Sequence, residues 1–489
     1  MSSYNTPIAV KHQSITESLA KPNPKPLHVL FLLAAEFFER FTYYSIKGIL
    51  FIYLVSYFDY TREEAIAYVH IFIFLSYFFT LFGGLSSDRI FGKLLTIILF
   101  LGTYIVGVFF LLGSSIVKSK QLLHSGLLLI SISAGCIKPS ISSLGGDQFD
   151  QKDKKSITAF FTSFYFSVNI SSALAIFGIP IIIDRPCFQK STCYPLGYSF
   201  SFFSLLLSLV VFLGMPIIKH LYSAKTQLIA HNYNYNHMSI TPTPTSTPIN
   251  TNSTPINTNS ATIELATTTA TLPHPTQVPP FSLTKTIKSL LPVSIGWMLY
   301  DQQSSTWVDQ ARKLTPTISI HGFSFTLSPT QLQVLNSIIL VLILPVFSKT
   351  TEKVLKFLHL PDTPQRRLFY GMCFFSFSFV LASLLDIYLL LSTNITILMQ
   401  IPQIVFLTLG EAFVGSTGLS FSYNTAPDSA KALVLSFWYL NMALGNFFVI
   451  LLSHLFQFLS IPTYTQSFLY VALSLLAIAQ LNRQIIHPT

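Results

Sequence analysis

Charge is what this sequence has least of. Of 489 residues only 10% are Asp, Glu, Lys or Arg, whereas 51% are hydrophobic, and the mean hydropathy is +0.56. Soluble domains carry about 25% charged residues, so an ordinary water-solvated surface is excluded and a membrane class follows. Cysteine is scarce as well. Cys136, Cys187, Cys193 and Cys373 show neither zinc nor redox spacing, so no metal site is implied. Two of them lie inside apolar runs, where a thiol acts as a small hydrophobe. Cys187 and Cys193 flank a polar loop and can pair if that loop faces an oxidising compartment. There is no nucleotide-binding loop, no H-E-x-x-H and no Ser/His/Asp set, which argues against an enzyme. The first 26 residues hold no apolar core of the signal-peptide kind, so the amino terminus is expected in the cytosol.

What the chain does have is long apolar runs. Stretches long enough to cross about 30 Å of hydrocarbon fall near 29–56, 66–87, 94–117, 122–142, 158–183 and 197–218, then near 285–308, 331–349, 367–391, 397–423, 432–456 and 465–482. The expected fold is an all-α membrane protein of twelve transmembrane helices in two six-helix bundles, 29–218 and 285–482. A tail at 1–28 precedes them, a Thr/Pro/Asn-rich linker at 219–284 with too few large apolar residues to pack joins them, and a short tail follows at 483–489. Lys and Arg total 29 against 19 acidic residues. They sit in short loops between apolar runs, which reads as membrane topology and not as nucleic-acid binding. Arg89, Lys93, Lys152, Lys154, Lys155, Lys219, Lys225, Lys353, Lys356, Arg366 and Arg367 fall on the side of the amino terminus, so both termini are expected to face the cytosol. The opposite loops hold fewer bases, among them Arg62, Lys118, Lys120, Arg312 and Lys313.

An ionisable side chain in hydrocarbon costs roughly 3 kcal/mol or more and marks a pathway or relay. The first span carries Glu36, Arg40, Tyr43 and Lys47 along one helical face, with Glu39 and Tyr44 beside it. His70 and Tyr77 lie on the second, Lys138 on the fourth, Tyr165 and Asn169 one turn apart on the fifth. Trp297 and Asp301 are one turn apart on the seventh, Asn336 interrupts the eighth and Glu411 stands in the tenth. Together they describe a polar cavity between two bundles. Bases on the first half, Lys47 and Lys138, facing an acid on the second, Glu411, suit a zwitterion.

These residues carry a resemblance. E-F-F-E-R-F-T-Y-Y at Glu36 to Tyr44, GGLSSDRIFGKLLT at Gly83 to Thr96, SAGCIKPSISSLGGDQF ending at Phe149, FFTSFYFSVNISSAL, WMLYDQQSSTW and GLSFSYNTAPDSAKALV resemble segments of the proton-dependent oligopeptide transporter family of the major facilitator superfamily, eukaryotic type. The resemblance runs from about residue 30 to about 450. It implies a secondary active transporter, a proton-coupled symporter importing di- and tripeptides by alternating access. By position it implies proton coupling by Glu36, Glu39, Arg40 and His70, with Lys47 and Lys138 on the peptide carboxylate. Asn169, Asn336 and Glu411 would surround the peptide amino terminus, and Tyr43, Tyr44, Tyr77, Tyr165, Trp297 and Trp438 would shape side-chain pockets. Asp88, Arg89 and Lys93 would form a gate. Protons are the coupling ion, no cofactor is implied, and the chain is expected to act as a monomer in the plasma membrane. Readings that keep the fold but change the task are a transporter of nitrate or histidine, or a receptor that senses peptide without moving it. Three departures stand out. Lys47 occurs where many members have arginine, and Ser348 where animal members have an aspartate that would pair with a base such as Lys285. The large outer domain between helices 9 and 10 is absent, since only a few residues join them here.

Overall fold

The computed structural model describes residues 27–149, 154–187, 192–214, 291–320, 323–392, 394–425 and 431–486. The expected linker at 219–284, the start of the seventh span at 285–290, most of the amino-terminal tail and the side chains of Lys152, Lys154, Lys155, Lys219 and Lys225 lie outside the described residues.

The apolar runs form helices α1 Leu27–Tyr57, α2 Arg62–Ile90, α3 Lys93–Val117, α4 Lys120–Gly146, α5 Lys154–Ile183 and α6 Tyr194–Gly214. The seventh, α7, is described from Val293. After it come α8 Val334–Phe357, α9 Pro364–Leu391, α10 Ile401–Thr425, α11 Lys431–Phe458 and α12 Thr463–Ile486. Nine helices among the described residues are long and apolar enough to cross a membrane, or ten if the bent α8 counts as one span. Helix α1 falls outside that count through its four charges, and α7 because it is not one helix. It runs as Val293–Tyr300, a 3-10 turn Asp301–Ser304 and Thr306–Arg312, a correction to the continuous helix expected over 285–308. The run D-Q-Q-S-S-T supplies side chains that compete for backbone groups: Thr306 Oγ1 donates to the Gln302 carbonyl at 3.2 Å, and Ser305 leaves helical geometry at φ −137°.

Within the first half, α3 packs on α4 and α1 on α5; within the second, α9 packs on both α10 and α12. Helix α6 is tied to α1 by serines one turn apart. Ser201 accepts at its carbonyl from Thr42 (2.9 Å), and Ser204 and Ser208 donate to the carbonyls of Phe38 (2.9 Å) and Ala35 (2.7 Å). Lipid supplies no hydrophobic drive between helices, so small residues and such hydrogen bonds hold them together. At Gly83 the backbones of α2 and α4 touch: a Cβ there would stand 2.4 Å from the Cys136 Cα. The two halves meet along α2 with α11 and α5 with α8.

Helix ends follow local chemistry. Thr61 and Glu64 form a capping box at α2. His359 and Ser460 adopt left-handed φ of 54° and 53°. Leu360 N–H then reaches the Leu355 carbonyl (2.8 Å) and Ile461 N–H the Phe456 carbonyl (2.9 Å), and proline follows each. A hairpin that the sequence reading does not anticipate, β1 Thr317–Ile320 paired with β2 Phe323–Thr326, stands between α7 and α8 with Ile318 opposite Phe325. Cys187 and Cys193 are bonded, with Cα atoms 5.1 Å apart.

Gly83→Ala is expected to lower thermal stability in detergent by about 1–3 kcal/mol through the α2–α4 clash. Gly102→Ala, where a Cβ meets nothing within 4 Å, is expected to leave it unchanged. Equal unfolding temperatures for the two variants would contradict the close contact.

Candidate functional site

The face where α1 begins is called the near face here, the opposite one the far face. The charged stripe of α1 is buried, with Glu36 2%, Glu39 0%, Arg40 5% and Lys47 6% exposed. Arg40 Nε lies against Glu39 Oε2 and 3.2 Å from Glu36 Oε1. Glu36 Oε2, Glu39 Oε1 and Arg40 Nη2 have no hydrogen-bond partner among the described residues. Buried polar atoms are normally satisfied, so this trio holds spare capacity for a proton or water.

Lys47 is not free. Its Nζ donates to Asp301 Oδ1 of α7 at 2.7 Å, joining the bundles. Asp301 Oδ2 accepts from Asn446 Nδ2 of α11 at 2.7 Å, while Asn446 Oδ1 faces His70 Nδ1 at 2.7 Å and His70 Nε2 faces Ser305 Oγ at 2.7 Å. A carboxylate only accepts, which orients the Asn446 amide. Its oxygen then faces the imidazole, so His70 carries a proton on Nδ1. At the far face Arg62 of α2 donates to Asp309 of α7 at 2.7 Å, with Lys313 on the same carboxylate at 3.3 Å.

Lys138 differs from Lys47. Its buried Nζ makes no hydrogen bond among the described residues and sits 4.5 Å and 3.9 Å from the ring centroids of Tyr43 and Tyr77, held by cation–π attraction. Across the interface Glu411 Oε1 accepts from Tyr165 OH of α5 at 2.9 Å. Glu411 Oε2 and Asn336 Nδ2 are unpartnered among the described residues. Asn169 donates to the Tyr165 carbonyl at 2.8 Å, and Trp297 stands edge-on to Trp438 at 6.0 Å. Trp438 packs over Gly418, where a Cβ would be 1.9 Å from the indole.

Tyr44, Lys47, Asn169, Tyr300, Asn336 and Ser337 line a central cavity of about 20 Å³. That is room for a water or two and no more. Near-face closure comes from Tyr77 stacked on Tyr439 (6.1 Å), Ser436 Oγ donating to the Thr80 carbonyl (2.7 Å), Leu433 N–H donating to Asp88 Oδ2 (3.2 Å), and Ile157 packed with Leu435. Of the expected gate residues only Asp88 is shown reaching across. Lys93 pairs with Asp147 inside its own bundle, and Arg89 is exposed.

The structure thus assembles most of the expected residues around one interface. Those missed are Asn446, Ser305, Tyr300 and the Arg62–Asp309 pair. An amide inside the apolar run of α11 was a readable signal for Asn446; Arg62 and Asp309 read as loop charges.

Comparison with known proteins agrees. A family profile described as the POT family matches residues 94–466. Peptide transporter 3 of Caenorhabditis elegans is 30% identical over 389 residues, covering 76% of this chain and 52% of that protein. Solute carrier family 15 member 2 of Homo sapiens is 28% identical over 382 residues, covering 75% and 50%. The chain spans about half the length of the curated relatives it matches. The crystal structure of the POT family transporter PepTSo superposes with a TM-score of 0.71 at 23% identity, over 94% of this chain and 98% of that one. A crystal structure of a proton dependent oligopeptide (POT) family transporter superposes with 0.65 at 23% identity, over 93% and 100%. With its helices, its buried charges and a profile match over most of its length, the chain belongs to the POT family, a multi-pass membrane protein with the major facilitator fold.

Proposed function

We propose that the chain is a proton-coupled symporter that imports di- and tripeptides by alternating access. The observation that carries the reading is the asymmetry of the two buried lysines. Lys47 is neutralised by Asp301, whereas Lys138 makes no hydrogen bond among the described residues and lies against aromatic faces. A buried ammonium without an anion is costly. A peptide carboxylate supplies one, while Glu411 on the other bundle offers its Oε2, which accepts no hydrogen bond among the described residues, to the peptide ammonium. Family membership and the names of its relatives support the same substrate class.

A cavity of about 20 Å³ cannot hold a dipeptide, so the bundles must part to admit one. Far-face opening requires Lys47–Asp301, Arg62–Asp309 and the His70 bonds to break. Near-face opening requires the Thr80, Asp88 and Tyr77 contacts to break. A proton on Glu36 or Glu39 removes one of the two carboxylates that hold Arg40. A proton reaching His70 turns Nε2 into a donor and changes its bond to Ser305. Either event biases which face opens. The reading needs no cofactor besides protons and no second subunit, and it places both termini in the cytosol of a cell whose plasma membrane holds the protein.

Labelled dialanine should accumulate in proteoliposomes of the full chain when an inward proton gradient is imposed. Glu36→Gln is expected to abolish that accumulation and retain gradient-independent exchange. Uptake indifferent to the gradient would overturn the coupling. Lys138→Gln should raise KM for dialanine by about tenfold to a hundredfold, with Lys138→Arg milder; an unchanged KM would exclude Lys138 from the carboxylate. For the inter-bundle pair, Asp301→Ala should cost about 3 kcal/mol or more because Lys47 is left buried and unpaired. Adding Lys47→Met should recover part of it, and additive costs in calorimetry would show the two are uncoupled.

A further inference from the structure

Helix α8 is bent by 73° between Gln331–Phe347 and Lys349–Phe357, just past Pro345, a residue type that breaks helical hydrogen bonding. The first leg is about 25 Å long and nearly spans the hydrocarbon. The second is about 13 Å long, yet at that bend it advances only about 4 Å along the first leg's axis. It therefore leaves the spanning direction at the near face. It is also a finished helix, since the left-handed His359 and the bond from Leu360 N–H to the Leu355 carbonyl close its end.

Its surface divides three ways at 100° per residue. Leu355 and Thr351 face the protein, 5% and 6% exposed. Val354, Phe357 and Leu358 share a neighbouring sector and are exposed, Phe357 at 80%. Lys349, Lys353 and Lys356 gather within one further sector and are all exposed, with Glu352 at its edge. Close by, Asp362 does not neutralise them. It takes hydrogen bonds from Arg367, which hold its carboxyl below the usual range, one of them at 2.7 Å. Arg366 donates to Asn482 at 3.2 Å. We propose that Lys349–Phe357 is an interfacial helix that binds anionic lipid headgroups through Lys349, Lys353 and Lys356 while Phe357 and Val354 enter the acyl boundary. The occupant follows from position and charge. A basic strip beside an exposed apolar strip, lying across the end of a membrane span, meets headgroup phosphate and acyl chain at the same depth. The transport reading plays no part in this inference.

The test titrates the purified full chain in detergent with soluble dioctanoylphosphatidylglycerol and follows thermal unfolding. Wild type is expected to gain stability, with no gain from dioctanoylphosphatidylcholine or inorganic phosphate. Lys349→Gln/Lys353→Gln/Lys356→Gln should need about a hundredfold more lipid for the same rise. Phe357→Ala, with every charge kept, should need several-fold more. Identical titrations for wild type and the triple variant would overturn the site. A rise produced equally by inorganic phosphate would also overturn it, by making it an anion site with no lipid character.

Discussion

A charge buried in hydrocarbon is costly without a partner, and the partner of Lys47 comes from the other bundle. Lys47 on α1 meets Asp301 on α7 at 2.7 Å, and Asp301 in turn holds Asn446, which holds His70. Four side chains from four helices thereby share one electrostatic fate. Separating the bundles at that level strands an ammonium on one side and a carboxylate on the other. Such loss is expensive unless water or ligand replaces the lost partner. These bonds are therefore made or lost together, the kind of interface that the proposed alternating access would need.

The rest of the architecture serves that interface. Gly83 lets α2 lie directly on α4, and Gly445 lets α11 approach α7, where a Cβ would stand 2.5 Å from the Ser294 carbonyl oxygen. These contacts pack the helices of each bundle backbone to backbone, so the proposed relative motion would fall on the surface between the bundles. The 3-10 turn at Asp301–Ser304 has a related role. It brings Asp301, Gln303, Ser304 and Ser305 to the interface in succession, which a regular helix would distribute around its circumference. The irregular backbone sits where it lines a cavity, the one place in a membrane where it is tolerated.

Arg40 is held by two carboxylates and Lys138 by two tyrosine rings. In the proposed transport cycle the first arrangement would answer to protons and the second to an incoming anion. They lie on α1 and α4, joined through Tyr43, whose ring contacts both cations at 5.3 Å and 4.5 Å. Under that proposal a substrate carboxylate at Lys138 and a proton at Glu36 or Glu39 would act on groups that share one aromatic neighbour, a physical route for coupling the two.

The sequence by itself determined the membrane class, the apolar spans that place Lys138 and Glu411 on opposite halves, the polar stripe from Glu36 to Lys47 and the resemblance carried by its motifs. Those are local properties: hydropathy, helical spacing and motif order need no knowledge of what lies across a gap. The Cys187–Cys193 bond stood as a conditional in the sequence and was settled by the Cα separation of 5.1 Å. Only the tertiary structure decided that Lys47 is paired and that Lys138 is not among the described residues, since both are lysines in apolar helices. Only it revealed that Arg62 and Asp309, residues resembling loop charges, close the far face. The interrupted α7 and the bend of α8 also escaped the pattern of apolar runs, because hydropathy reports how much of a segment lipid tolerates and not whether its axis is straight. Partnership between helices far apart in sequence is set by packing, and packing is what a linear pattern cannot carry.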